Sequence, residues 1–227
     1  MSGIEKATYH YNLGVQYEKE HNIKEAKEEY RKSIETDSSF PYPYRALGEI
    51  FYREGNLDQA LKELSTALKL DPDWMEVMSL IAEVYYDKGD LARAIHFQEK
   101  ALQKDPDNIQ YNAMMGKMLI TDRRYSDAVE LLQRTLKLDP ENFLVHYNLG
   151  VAYGKRAMVD IDKSIEHWKI TRKINPADVH VHRNLGVAYF TKGLLDEAKE
   201  SFRQALELNP RDEVARKFLK YAESVKN

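Results

Sequence analysis

The chain has 227 residues, 43% hydrophobic and 31% charged, and its 34 basic and 37 acidic side chains leave a net charge of −3. That balance supplies no broad field to attract nucleic acid or anionic lipid, and no apolar run approaches the ~18 residues of a membrane helix. Zero cysteines exclude disulfides, thiolate metal sites and a cysteine nucleophile; residues 1–6 show no positive segment leading into an apolar core, so no secretory signal is read and a cytoplasmic location is expected.

A hexapeptide recurs. Asn12 to Tyr17 reads NLGVQY, and Asn148 to Tyr153 and Asn184 to Tyr189 both read NLGVAY. The first two copies stand four periods of about 34 residues apart, the spacing of a stacked helical repeat, and the last interval is two residues longer. Placing the glycine of NLG at position 8 divides the chain into repeats 7–40, 41–74, 75–108, 109–142, 143–178 and 179–212, read as one folding unit, with a tail at 213–227.

In each repeat, positions 4, 7, 8 and 11 share one helical face and positions 20, 24 and 27 form a second stripe, which predicts two amphipathic helices, A and B. The first repeat closes on Ser38; the second to sixth close on Pro72, Pro106, Pro140, Pro176 and Pro210, residues that cannot continue a helix. Pro41 and Pro43 mark the first junction. Gly55, Gly89 and Gly193 fall at position 15, where a left-handed turn ends helix A, and Gly14, Gly48, Gly116, Gly150 and Gly186 fall at position 8, where helix B crosses. The fourth repeat has Arg123 at the turn and Thr135 at position 27. The fifth has Ser164 at position 20 and the two extra residues between Gly154 and Asp162, with Ala157, Met158 and Val159 read either as an apolar patch or as packing on the neighbouring repeat. The sixth reads His182, Leu185, Gly186 and Tyr189, then Ala198, Phe202 and Ala205. Residues 213–227 place Val214, Phe218, Leu219, Ala222 and Val225 at helical spacing, as expected of a helix that caps the stack.

This pattern resembles the tetratricopeptide repeat: a bulky residue at 4, Leu at 7, Gly or Ala at 8, Tyr at 11, Ala at 20, an aromatic at 24, Ala at 27 and Pro at 32. The resemblance implies an all-α fold, a right-handed superhelical solenoid of helix-turn-helix repeats, and a concave groove lined by helix A positions 2, 5, 6, 9, 12 and 13. The groove residues expected to bind a peptide are Tyr11, Asn12, Arg45, Tyr52, Glu83, Tyr86, Lys117, Tyr147, Asn148, Arg183, Asn184 and Phe190, above an apolar floor including Val15, Val151 and Val187. Acid concentrates in the third repeat and base in the fourth to sixth, which calls for a partner segment with adjoining basic and acidic parts. Asn12, Asn148 and Asn184 at position 6 resemble the asparagine ladder of some peptide-binding arrays of this family, including that of O-GlcNAc transferases, here interrupted by Ala46, Leu80 and Met114. The carboxylate clamp of co-chaperone members needs Asn at position 9; Val15, Glu49, Glu83, Lys117, Val151 and Val187 stand there instead.

Nothing in the sequence assembles a catalytic site. His10, His146 and His182 occupy the packing position 4, and His180 and His182 point apart on their helix, so they share no metal. With the glycines assigned to turns and crossings, no phosphate loop remains. The expected protein is therefore not an enzyme and uses no cofactor or metal; it is a noncatalytic scaffold that holds an extended or helical segment of another protein, with no nucleic acid and no membrane insertion. The alternatives are a self-assembling structural module, which would be a homo-oligomer, and the regulatory or targeting part of a larger enzyme or complex.

Overall fold

The computed structural model describes residues 2–156 and 160–225, all as helices and short connections. Ala157, Met158 and Val159 lie outside the described residues. Two compact units divide at Pro106 and Asp107. The first contains α1 (Gly3–Lys19), α2 (Ile23–Thr36), α3 (Tyr42–Arg53), α4 (Leu57–Leu70), α5 (Met75–Asp87) and α6 (Leu91–Lys104); the second contains α7 (Ile109–Thr121), α8 (Tyr125–Leu136), α9 (Phe143–Arg156), α10 (Ile161–Ile174), α11 (Val179–Lys192), α12 (Leu195–Leu208) and α13 (Glu213–Ser224). In each unit the helices pack in consecutive A–B pairs, the helix-turn-helix fold that the period predicts.

The pairs close on one device. A Cβ added to Gly186 would come within 2.6 Å of Phe202, one added to Gly150 within 2.8 Å of Trp168, and one added to Gly14 within 2.6 Å of Tyr30. The large side chain at position 24 thus occupies the space where position 8 lacks one, and Tyr30 and Phe202 are fully buried as a result. The third repeat, with Ala82 at position 8, carries Gln98 at 24. That amide is completely buried, and its oxygen accepts from the Ser79 hydroxyl at 3.1 Å, which meets the demand that a buried polar group be hydrogen-bonded.

In the five described turns after helix A, position 15 is left-handed whether or not it is glycine. Gly55, Gly89 and Gly193 have φ near 80° (78°, 79° and 81°), and His21 and Arg123 are drawn to 62° at the equivalent position. A side chain in that conformation costs about 1–2 kcal/mol, partly offset by the entropy a glycine would lose on folding. His21→Gly and Arg123→Gly are each expected to stabilise their unit by about 0.5–1 kcal/mol, read as a higher thermal midpoint; a lower midpoint for both would show that the turn is held by those side chains.

The position-4 histidines explain how junction prolines are held. Nε2 of His182 donates to the Pro176 carbonyl at 2.7 Å and Nε2 of His146 to the Pro140 carbonyl at 2.9 Å, satisfying oxygens that follow a helix end. Both rings are buried, at 5% and 3% exposure.

Two boundaries differ from the sequence reading. α1 begins at Gly3, ahead of the first repeat, because Ser2 and Glu5 form a reciprocal capping box. At the other end α13 buries Ala215 and Ala222, and Phe218 stacks 5.8 Å from Phe202. Val214 and Val225, predicted for the same stripe, are 43% and 45% exposed. The seam therefore runs through Ala215, Phe218, Leu219 and Ala222, one residue round the helix from the hydropathy pattern.

Candidate functional site

In the first unit α1, α3 and α5 present Tyr11, Asn12, Arg45, Tyr52, Glu83 and Tyr86. The Tyr11 ring lies 5.7 Å from Tyr30, 5.7 Å edge-on from Phe40 and 5.9 Å from Tyr42, and Tyr42 continues the belt to Trp74 at 5.1 Å. Phe40 and Trp74 were absent from the predicted groove, yet both stand at position 34, immediately before helix A, so the period itself contained the signal. Arg45 lies 5.6 Å over the Trp74 ring while its Nε donates to Glu49 at 2.8 Å. Burial raises the Tyr11 hydroxyl above its ordinary pKa, with the Arg45 charge opposing. The Tyr52 hydroxyl donates to Asp87 at 2.6 Å; burial, then that carboxylate, keep it protonated far above the ordinary tyrosine range. Arg53 pairs with Glu18. Tyr86 and Glu83 are half-buried and Asn12 is exposed. The face is thus an aromatic belt whose charges are largely matched within the chain.

In the second unit Lys117, Tyr147, Asn148, Arg183, Asn184 and Phe190 stand on α7, α9 and α11. The three asparagines do not act alike. Asn148, 9% exposed, donates through Nδ2 to the Ala113 carbonyl at 2.9 Å and so joins α9 to α7. Asn184 is half-buried and lies beside the Tyr147 hydroxyl instead. α9 approaches α7 more closely than α11 approaches α9, and Tyr147 between the latter two lies edge-on to Trp168 at 5.0 Å. Burial raises the Tyr147 hydroxyl above its ordinary pKa. Arg183 is committed to Asp212 at 3.1 Å and to Nδ1 of His180 at 2.8 Å. Phe190 meets Phe218 edge-on at 5.6 Å, and Lys117 is exposed on α7.

Where α9 and α11 separate, a cavity of about 260 Å³ opens. Val151, Ile161, Trp168 and Val187 supply its apolar lining, and Lys155, Asn184 and Thr191 its polar groups; Gly154 completes the wall. Six of these residues, Val151, Gly154, Lys155, Asn184, Val187 and Thr191, occupy predicted groove positions. A wider depression of about 720 Å³ lies on the other side of α11, against α10 and α12, with Lys169, Arg172 and Lys173 facing Glu207. Nδ1 of His182, which lines it, is buried without a hydrogen-bond partner. Among the described residues no group of three or more His, Asp or Glu side chains is placed to hold a metal ion, and no helix is long and apolar enough to cross a membrane.

Models of the tetratricopeptide repeat match residues 7–40, 51–118, 123–156 and 180–212. No curated protein matches the chain. Among solved structures, a chain of the APC/C hetero-tetramer Cut9–Hcn1 aligns with a TM-score of 0.83 at 21% identity, over 96% of this chain and 43% of its own length, so the present chain spans less than half of it. YrrB, described as a TPR protein with an unusual peptide-binding site, aligns at 0.64 with 23% identity, over 84% of this chain and 97% of its own. At identities this low the likeness carries the fold alone. MamA is 28% identical, with a TM-score of 0.62 over 73% of this chain and 95% of its own.

Proposed function

The chain belongs to the tetratricopeptide repeat family, and from that premise we propose that it is a noncatalytic scaffold that holds an extended or helical segment of another protein on the exposed faces of its A helices. The observation that carries this reading is the cavity between α9 and α11, where six predicted groove positions meet with apolar lining and polar rim together. Such a surface binds by burying a few side chains of its partner while fixed donors hold the partner's backbone. In the first unit the Tyr11, Phe40, Tyr42 and Trp74 belt offers further ring surface, with Tyr42 itself 46% exposed. Asn148 and Arg183 support the second face from behind, since their side chains are engaged within the chain.

A second reading, self-assembly, rests on α13, where Val214, Tyr221 and Val225 leave apolar surface on one outer side at 43%, 50% and 45% exposure. Affinity capture with two variants separates the readings. Lys155→Glu combined with Thr191→Glu changes exposed side chains at the cavity and is expected to lose a captured partner with helix content intact; Tyr221→Glu is expected to retain it. The reverse pattern, or capture of the protein's own copies alone, would move the function to α13.

A further inference from the structure

Neither a turn nor a helix crossing explains Gly154. Its φ is not in the left-handed range that Gly55, Gly89 and Gly193 adopt, and it faces no large residue of helix B as Gly150 faces Trp168. A Cβ at Gly154 would meet the Ser164 hydroxyl at 3.1 Å and, beyond it, only Ser164 Cβ within 4 Å. That serine is buried and its hydroxyl donates to the Gly150 carbonyl at 2.9 Å, so the small residue at 154 leaves this bond undisturbed and the space beyond it open.

Comparison between repeats shows what is missing. Position 12 carries Glu18, Tyr52, Tyr86, Ile120 and Phe190 in the other five repeats. These side chains can bridge to the next A helix: Tyr52 reaches Asp87 on α5, and Phe190 packs on Phe218 of α13. Among the described residues no side chain fills that place at α9, and the cavity stands there. Its volume of about 260 Å³ falls below the roughly 300–1,000 Å³ of small-molecule sites, which suits one bulky side chain better than a metabolite. Lys155, the next residue, lines the same cavity, is exposed, and has no ion-pair partner among the described residues.

We propose that Gly154 opens a socket for a bulky apolar side chain of a partner segment, such as phenylalanine or leucine, and that Lys155 selects an acidic residue adjoining it. The inserted side chain takes the place that position 12 fills in the other repeats, over Val151, Trp168 and Val187. Charge complementarity fixes the sign of the neighbour, because the cation at the rim has no ion-pair partner among the described residues. This rests on the groove reading above and adds the chemistry of the segment that the groove would hold.

The test is selection from a random peptide library displayed on phage, followed by affinities of the synthetic peptides recovered. Wild-type protein is expected to select a large apolar residue beside aspartate or glutamate. Gly154→Leu, which fills the socket from within, should weaken these peptides at least about tenfold while retaining the helix content of the wild type. Lys155→Gln should weaken them several-fold and relax the acidic preference. Fluorescence of Trp168, read in a Trp74→Phe background, should respond to the peptide and fall silent in Gly154→Leu; it reports on the socket even if Gly154→Leu folds poorly. Peptides that bind Gly154→Leu as tightly as wild type but are lost in the Lys155→Glu, Thr191→Glu variant would overturn the socket and leave the groove reading standing. Recovery of no peptide would overturn both.

Discussion

Phe202→Ala is expected to destabilise the second unit by about 3–5 kcal/mol, the largest effect of any single truncation proposed for this protein. The ring is fully buried, fills the space left by Gly186, and stacks on Phe218, so its loss opens a cavity in the pair α11–α12 and loosens α13 together with it. The urea midpoint followed by helical circular dichroism reads the change. A companion substitution tests the packing device itself. Gly186→Ala should cost about 1–3 kcal/mol in the wild type, because its Cβ would arrive 2.6 Å from the ring. In the Phe202→Ala background the same change should cost nothing or stabilise slightly, since the obstructing ring is gone and alanine favours the helix. Equal costs in both backgrounds would show that positions 8 and 24 do not act as a pair.

The second large effect is acid sensitivity centred on α9 and α10. Nδ1 of His146 and Nδ1 of His167 lie 2.8 Å apart, and Nε2 of His146 faces the Pro140 carbonyl. A carbonyl only accepts, so we assign the His146 proton to Nε2; its Nδ1 then accepts from Nδ1–H of His167. With its Nδ1–H engaged, His167 takes a further proton at Nε2, which places an imidazolium charge in a half-buried site beside His146. Burial, then the neighbouring His146, accordingly lower the His167 pKa from 6.5 to about 4. Between those values the unfolded chain binds a proton that the folded chain refuses, so stability is full above about pH 6.5 and falls as the pH drops toward about 4. For a completely buried ring such a shift would be worth at most about 3 kcal/mol; the solvent that reaches His167 reduces this to about 1–2 kcal/mol. His167→Gln retains a donor toward His146 and cannot become charged. Its thermal midpoint should therefore change less than the wild-type midpoint between pH 7 and 5, and an equal drop in both would exclude the pair as the source.

Much of the repeat framework is legible without coordinates because it is written redundantly. Glycine at position 8, a large side chain at 24 and proline at 32 recur at one spacing, so each copy corroborates the others. Position 15 shows the strength of that redundancy: His21 and Arg123 have no glycine's freedom, yet they adopt the left-handed turn expected of the glycines at that place in the period. The α13 seam was displaced because Val214 and Ala215 are adjacent and both apolar, and only docking on Phe202 selects the smaller one for burial.

The candidate site divides along the same line. Its residues could be named from helix periodicity, since every third or fourth position faces the same way. Their availability to a partner could not, because that depends on contacts made roughly one repeat away in the chain: Tyr52 with Asp87, Asn148 with the Ala113 carbonyl, Arg183 with Asp212. The sequence alone determined the repeat and its register, and through the family resemblance it named the face proposed to bind. Tertiary packing decided which polar groups on that face were already satisfied, and where two A helices close on each other or part around a cavity. Periodicity is a property of one helix, whereas hydrogen-bond satisfaction and empty volume belong to neighbours that the chain supplies from elsewhere.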